Sequence, residues 1–233
     1  MLLDHVVLFV DDLEEAVRTF SSFGFTVTPG GINGPTHNAL IAFDNETYIE
    51  LVALRAMAAR RLFKLLRYSG LLSLRRLISI DLNNRLFGWF SKRQGFRDVC
   101  FRSSSLEAVA KHCKREGYAL TPIISFSRHR PDGVTVSWSL AGAVDELQPF
   151  FIEDKTPLSY RIPDGPARLH QNGALGITEL ATRSPLKFSA SNVSTTTQAR
   201  GLRGKFRITI KTTSSTRELN IPRLFDADIR LAH

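Results

Sequence analysis

The chain has 233 residues, 43% of them hydrophobic, and a formal net charge of +9, which allows one or two domains with a sizeable core. No stretch of about 18 or more apolar residues occurs, which argues against a membrane-spanning helix. Asp4 stands where a secretory signal would carry basic residues. The only two cysteines, Cys100 and Cys113, are expected to be free thiols in a reducing compartment, so we expect a cytoplasmic protein.

The first segment of the chain predicts one helix among several strands. Residues 3–10 are apolar and β-branched, as in a buried strand. Asp12 and Glu15 have the spacing of a capping box at the start of a helix, and Gly24 ends that helix. Further strands are predicted over residues 25–27, 38–43 and 47–52, with a loop over residues 29–35.

The positive charge is concentrated in the next segment. Between Arg55 and Arg97 eleven Lys and Arg residues accompany one acid, Asp81, so this stretch carries +10 and leaves −1 for the rest of the chain. Leu-rich runs within residues 54–94 predict two amphipathic helices outside the core sheets, separated at Ser69-Gly70. Nucleic acid is not expected as a partner, because no binding motif is present and the charges accompany Leu rather than stacking aromatic residues.

The basic insert has several possible roles. Its helices could cover the core with their apolar side and leave their charges in solvent, which is the usual arrangement of surface helices. They could form a lid over a pocket or pack on a second subunit in a homodimer. A basic, Leu-rich helix can also lie on an anionic membrane surface, which would make the protein a peripheral membrane binder.

The segment after the insert repeats the first one at an offset of 93 residues. Residues 13–29 align with residues 106–122 without a gap, so that predicted helix falls on predicted helix. The same offset places Asp98 on His5. A repeat of this size indicates one structural module used twice, and we expect the sheets of the two modules to face each other around a shared cleft.

The C-terminal segment, residues 157–233, is harder to interpret. Residues 170–177 have the pattern that would open a partial third module. Residues 184–197 are Ser/Thr-rich and poorly periodic, so part of this segment is expected to be disordered. Residues 205–211 alternate as a half-buried strand, and a further strand is predicted over residues 218–221.

Short motifs in a fixed order, together with the repeat, carry a resemblance to a known family. The motifs are Leu3-Asp4-His5-Val6-Val7, Thr36-His37-Asn38, Tyr48-Ile49-Glu50-Leu51, Arg130-Pro131-Asp132-Gly133 with Trp138, Pro149-Phe150-Phe151-Ile152-Glu153, and His170-Gln171-Asn172-Gly173. They resemble the glyoxalase-like domain family of the vicinal oxygen chelate superfamily. The resemblance implies an α+β fold in which two βαβββ modules, residues 1–53 and 95–156, surround a cleft, with the insert 54–94 between them and residues 157–233 following.

The resemblance also implies a metal site. With a longer loop in the second copy, Glu153 aligns with Glu50, so the expected ligands are His5, Glu50, Asp98 and Glu153. Imidazole and carboxylate groups suit a divalent ion such as Zn, Fe, Mn, Ni or Co, and Glu153 could instead act as the general base. Relatives usually carry His or Glu where Asp98 stands. Taken singly, each residue could be structural: His5 as a hydrogen-bonded core histidine, Glu153 in an ion pair with Lys155, and Asp98 facing Arg97 or Arg102.

Four further residues are candidate substrate contacts: His37, Asn38, Arg130 and Trp138. Residues 125–133 are predicted to form a loop. His37 could be a solvated loop residue, Arg130 could belong to a surface turn within the loop 125–133, and Trp138 could be plain core. The leading hypothesis is a metal-dependent lyase, isomerase or dioxygenase that acts on a small oxygenated molecule. The alternatives are a non-catalytic small-molecule binding protein of the drug-sequestering type, and a scaffold or membrane-associated protein that uses the basic insert.

Overall fold

The computed structural model describes residues 1–69, 82–90, 92–130, 132–198, 200–202, 204–213, 217–218 and 225–233. The first module contains β1 (Leu2–Phe9), α1 (Leu13–Ser22), β2 (Thr28–Asn33), β3 (Thr36–Ala42) and β4 (Tyr48–Leu54). Two helices follow, α2 (Met57–Ser69) and α3 (Leu82–Phe90). The second module contains β5 (Gly95–Arg102), α4 (Leu106–Arg115), β6 (Ile124–His129), β7 (Thr135–Gly142) and β8 (Phe150–Asp154).

The remaining elements are α5 (Leu158–Arg161), a 3-10 turn (Gly165–Arg168), β9 (Ala174–Thr182), β10 (Ser194–Thr197), β11 (Phe206–Thr212), β12 (Arg217–Glu218) and β13 (Asp228–Ala232). In the described part of the chain, none of the helices combines the length and the apolar composition that a membrane crossing needs. Helix α2 ends at Ser69, the first residue of the predicted helix break. Gly70, the following residues of the insert up to residue 81 and the predicted strand residues 219–221 lie outside the described residues.

The two modules form one eight-stranded sheet in the order β2-β3-β4-β1-β5-β8-β7-β6. At its centre β1 and β5 are antiparallel, with His5 opposite Cys100 and Val7 opposite Asp98. The 93-residue offset places Asp98 on His5 and Cys100 on Val7, so it exchanges these two pairs, and the strands obey the repeat that the sequence predicts. The α+β fold of two βαβββ modules is confirmed.

The helices of the two modules begin in the same way. Asp12 caps α1 by accepting a hydrogen bond from the Glu15 backbone N–H at 2.9 Å. Ser105, 93 residues later, caps α4 by accepting one from the Ala108 N–H at 3.1 Å. A side-chain oxygen at this position satisfies one of the backbone donors that the first helical turn leaves unpaired.

The eight-stranded sheet has two faces with different coverings. Because strand residues alternate in direction, Ile49 and Leu51 of β4 contribute to the core beneath α1 and α4, whereas Tyr48 and Glu50 line a cavity on the opposite face. Residues of α3, including Leu82 and the aromatic side chains near its end, pack on this cavity face. The insert thus contributes a wall of the cavity as well as surface.

The C-terminal segment forms a second sheet of five strands in the order β10-β9-β11-β13-β12. It shares the core with α1 and α4, as shown by the stacked rings of Phe20 and Phe225 and of Phe96 and Phe206, whose centroids are 6.0 and 4.8 Å apart. The sequence predicts partial disorder after residue 184, but the described residues there include three strands besides β10. Alternating buried residues such as Phe206 and Ile208 explain why this segment folds onto the helices.

Two segments that the sequence predicts as loops are strands. β2 occupies residues 28–33 despite its Pro-Gly-Gly sequence, and the pairing of β2 with β3 is irregular between Pro29 and Ile32. β6 occupies residues 124–129, most of which belong to the loop predicted over residues 125–133. Both are the edge strands of the eight-stranded sheet, and short edge strands tolerate Pro, Gly and bulges that hide their sequence signal.

Candidate active site

The concave face of the eight-stranded sheet and α3 enclose a cavity of about 630 Å³. One part of its wall is polar and includes His5, Asn38, Glu50 and Arg128. The rest is mainly apolar and aromatic, with both tryptophans of the chain, Trp89 and Trp138, in the lining. A cavity of this size with few convergent polar groups is the usual form of a small-molecule site.

A bulge in β1 places Asp4 beside His5. Leu3 pairs with Phe101 and His5 with Cys100, so Asp4 is the extra residue in β1. A bulge lets two successive side chains turn to the same side, and Asp4 Oδ2 lies 2.7 Å from His5 Nδ1. The bond holds the imidazole with Nδ1 as donor and directs Nε2 towards the cavity.

Arg161 of α5 keeps Asp4 ionised. Its guanidinium donates to both oxygens of Asp4 at 2.8 and 2.9 Å, to Asp154 at 2.6 and 2.8 Å, and to the Tyr48 hydroxyl at 2.7 Å. Burial alone would raise the pKa of Asp4, but the charge of Arg161 and the hydrogen bonds from His5 and Arg161 lower it well below its usual range. An ionised Asp4 is the acceptor that the His5 Nδ1–H requires.

Glu50 of β4 faces His5 across the cavity wall and is held by Asn38. The Glu50 Oε2 atom lies 3.5 Å from His5 Nε2. The Asn38 Oδ1 atom accepts a hydrogen bond from the Gly31 backbone N–H at 2.5 Å, so its Nδ2 donates to Glu50 Oε1. Asn38, predicted as a substrate contact, therefore lines the cavity but has its amide engaged in positioning Glu50.

Asp98 occupies the position in the second module that His5 occupies in the first, but it is bound to the insert. Arg85 of α3 donates to its two oxygens at 2.8 and 2.6 Å, and the Trp89 Nε1–H donates at 3.1 Å. Arg85 also donates to the backbone carbonyls of Ala143 and Gln148. The structure therefore pairs Asp98 with Arg85, and not with Arg97 or Arg102 as the sequence suggested, and leaves it no open oxygen for a metal ion.

Glu153 is not the counterpart of Glu50. Val7 pairs with Glu50 in β4, and Cys100, which the offset places on Val7, pairs with Phe150 in β8. Phe150 thus stands where the first module has its acid. Glu153 lies on the opposite face, where it accepts from the Leu106 N–H at the start of α4 at 2.9 Å and from Lys155.

The four predicted metal ligands consequently do not converge. His5 and Glu50 come together, Asp98 is neutralised by Arg85, and Glu153 points away from the cavity. Catalytic zinc sites usually have three protein ligands, so this donor set does not fit the metal centre that the resemblance implies. Asp4, His5 and Cys100 also cluster within 4.8 Å, but Asp4 is bound to Arg161, and burial raises the pKa of the Cys100 thiol well above its usual range.

The other predicted contacts have different positions. Trp138 lines the cavity and stacks on Phe126, with ring centroids 6.1 Å apart. His37 lies on the other face of β3, 3.1 Å from Arg60 Nη2, where burial lowers its pKa. Arg130 is partly exposed and pairs with Asp132 at 2.6 Å. Its neighbour in the predicted turn, Pro131, lies outside the described residues.

Sequence reasoning missed several cavity residues: Tyr48, Trp89, Arg128 and Arg161. Arg128 follows Ile124 and Phe126 at two-residue intervals along β6, so the three side chains share one face of the strand. This spacing would have placed Arg128 on the cavity side if residues 125–133 had not been predicted as a loop. The position of Arg161 has no comparable sequence signal, because it depends on how α5 folds back on β1.

Replacing Glu153 by Gln is expected to leave the affinity for divalent metal ions unchanged, because its carboxylate caps α4 on the face away from His5. Isothermal titration with Zn²⁺ and Mn²⁺ measures this, with His5→Ala as the comparison variant. A tenfold loss of affinity in Glu153→Gln alone would contradict the position of Glu153.

The fold and the site define a protein of the glyoxalase-like class. The sequence profile described as the glyoxalase-like domain matches residues 3–197, and the chain belongs to this family. The resemblance to the glyoxalase-like domain family is thereby confirmed. No match is found among curated protein sequences.

Three solved structures illustrate what this chain is similar to. A hypothetical protein from Staphylococcus aureus is 16% identical, with 98% of each chain covered and a TM-score of 0.68. Methylmalonyl-CoA epimerase from Mycobacterium tuberculosis is 18% identical over 66% of this chain and 88% of its own, with a TM-score of 0.40. A catechol 2,3-dioxygenase is 11% identical over 92% of this chain and 77% of its own, with a TM-score of 0.45.

Proposed function

We propose that the chain is an enzyme that transfers protons on a small oxygenated molecule bound in the cavity, with His5 and Glu50 as its reacting groups. The observation that carries this proposal is the convergence of two oriented ionisable side chains: Asp4 holds His5, and Asn38 holds Glu50, with 3.5 Å between His5 Nε2 and Glu50 Oε2. Oriented acid and base groups in a closed cavity are the usual basis of proton-transfer catalysis.

The chemistry follows from the two partners. The Glu50 Oε2 atom takes a proton from a carbon next to a carbonyl group, and the electron pair of that C–H bond forms a C=C bond. The carbonyl oxygen receives a proton from the Nε2 of a protonated His5, whose positive charge Asp4 stabilises from the other side, as in other carboxylate–histidine pairs. Return of a proton to the opposite face of the same carbon gives a racemase, return to the former carbonyl carbon of a hydroxy-carbonyl compound gives an isomerase, and loss of a leaving group gives a lyase.

The divalent metal that the resemblance implies would have only His5 and Glu50 from the predicted ligand set. Two donors fall short of the three that catalytic centres usually provide. We therefore assign the proton transfers to the side chains themselves. Cys100 and Cys113 are both free and buried, in keeping with the proposed cytoplasmic setting.

The experiment that tests the function follows deuterium uptake by NMR. A panel of small 2-oxo and 2-hydroxy acids, aldehydes and ketones is incubated with the protein in D₂O. We expect at least one compound to exchange the hydrogen next to its carbonyl or hydroxyl carbon faster than in buffer, and His5→Ala to abolish the gain. Compounds that bind without any exchange would support the second candidate below instead.

The second candidate is a binding protein without chemistry. It is favoured by the second module, which offers Phe150 where an acid would be needed and locks Asp98 against Arg85. The apolar walls formed by residues such as Trp138 and Leu140 would be sufficient for affinity alone. The position of His5 against Asp4 favours the enzyme, because a binding site has no need of an oriented imidazole.

A contact with an anionic membrane surface is proposed for α2. Met57, Leu62 and Leu65 on this helix are 63%, 53% and 70% exposed, and the insert around them is strongly basic. We expect binding to vesicles that rises with the fraction of anionic lipid, falls with salt, and is lost in a Leu62→Glu/Leu65→Glu variant. Leu169→Glu, at an exposed residue outside α2, is the control. Binding that is absent or insensitive to salt would contradict this contact.

A further inference from the structure

We propose that Arg128 is the receptor for a carboxylate group of the substrate, so that the enzyme acts on a small carboxylic acid. This inference rests on the proposed function, because it places the ligand in the cavity that His5 and Glu50 share. It adds the chemical class of the ligand and the residue that selects it.

Arg128 is built into the cavity wall by a close approach between the two edges of the sheet. It belongs to β6, and its guanidinium lies against the backbone of Gly31 in β2. A Cβ atom on Gly31 would be 2.0 Å from Arg128 Nη1, so any side chain at residue 31 would force the guanidinium to move from this position. The Gly31 N–H is also the donor that orients Asn38 and hence Glu50. The cation and the reacting groups therefore belong to one structural unit.

In the part of the chain that the structure describes, the guanidinium of Arg128 makes no hydrogen bond and no ion pair. Its Nε is buried, and none of the described residues accepts a hydrogen bond from it. Burial lowers the pKa of Arg128, and the charge of Glu50 only partly opposes this. Arg128 is half-buried, and a guanidinium that is partly withdrawn from water with an orphaned Nε is less stable than a paired one. An anionic ligand in the cavity would supply the missing partner.

The ligand class follows from the other lining residues. Among the described lining residues the one other arginine is Arg161, which is engaged with Asp4 and Asp154. A single planar guanidinium matches one carboxylate with two parallel hydrogen bonds. The stacked rings of Phe126 and Trp138 provide an apolar surface for a short side chain. The substrate expected from these groups is a 2-oxo or 2-hydroxy acid with an apolar tail.

Tryptophan fluorescence can report binding, because Trp89 and Trp138 are the only tryptophans and both line the cavity. The probes are 4-methyl-2-oxopentanoate, its neutral amide and inorganic phosphate. We expect the wild type to bind the acid at least tenfold more tightly than the amide or phosphate. Arg128→Met should lose at least tenfold in affinity for the acid and keep its affinity for the amide.

Two further variants make the test specific. Gly31→Ala displaces the guanidinium without removing its charge and should weaken acid binding as well. Arg130→Met removes a nearby arginine that pairs with Asp132 at the surface and should bind as the wild type does. Acid binding that is equal in wild type and Arg128→Met, or no tighter than amide or phosphate binding, would overturn the inference. Acid binding that depends on Arg128 without deuterium exchange would overturn the proposed function and leave the inference standing.

Discussion

Replacing Glu50 by Gln is expected to slow proton exchange into a bound ligand about 10²–10⁴-fold, the range that a positioned general base contributes. Gln keeps the shape of the side chain and its contact with Asn38, but it cannot take up a proton. Ligand binding, followed by tryptophan fluorescence, should remain within a few-fold of the wild type. The measurement is the initial rate of deuterium incorporation at saturating ligand.

The control for this variant is Glu153→Gln. Glu153 was predicted as a ligand or the general base, but it binds the Leu106 N–H and Lys155 on the opposite face of the sheet. Exchange in Glu153→Gln should therefore match the wild type. If Glu153→Gln lost exchange and Glu50→Gln kept it, the assignment of the base to the first module would fail.

Replacing Asp98 by Ala is expected to lower the free energy of unfolding by about 3–5 kcal/mol, because it leaves the buried Arg85 without its anion. Arg85 and Asp98 have 4% and 2% of their side-chain surface exposed. An Arg85→Met/Asp98→Leu double variant should be less destabilised than either single variant, since it removes both charges together. Urea unfolding followed by circular dichroism measures all of these differences.

The matched control is Asp132→Ala, which breaks the partly exposed pair with Arg130 and should cost less than about 1 kcal/mol.

The stability that Asp98 contributes should also depend on pH. Burial alone would raise the pKa of Asp98, but the charges of Arg85 and Lys205 and two hydrogen bonds lower it. A carboxylate whose pKa is lowered by folding stabilises the folded state at pH values above the pKa of the unfolded chain, which is about 3.9 for Asp. That contribution should disappear as the pH falls further, and the gap between wild type and Asp98→Ala should narrow in acid. Equal losses in Asp98→Ala and Asp132→Ala would contradict the buried pair.

The sequence predicted the repeat correctly because helix caps and apolar spacing are local signals. Asp12 and Ser105 cap equivalent helices, and the offset that they share also relates His5 to Asp98 in the central strands. These features depend on a few neighbouring residues, so one sequence is sufficient to find them. The expectation that His5 and Glu50 lie together came from the resemblance to the glyoxalase-like domain family and not from these local signals, and the structure places them 3.5 Å apart.

The second half of the predicted site failed for reasons that lie outside local sequence. The loop before the last strand of the second module, β8, is longer than the loop before β4 in the first module. The alignment therefore placed Glu153 on Glu50, although the counterpart of Glu50 is Phe150. A shift by an odd number of residues turns a strand side chain to the other face. The partner of Asp98 comes from α3 in the insert, and neither the bulge at Asp4 nor the Arg128–Gly31 contact has a recognisable pattern in one sequence.

The most direct test of the account is a single titration of 4-methyl-2-oxopentanoate in D₂O, in which tryptophan fluorescence and proton NMR are recorded on the same samples. The account predicts that wild type binds and exchanges the C3 hydrogens, that Glu50→Gln binds with exchange at least 100-fold slower, and that Arg128→Met binds at least tenfold more weakly. Binding by the wild type with no exchange above the buffer rate would contradict it.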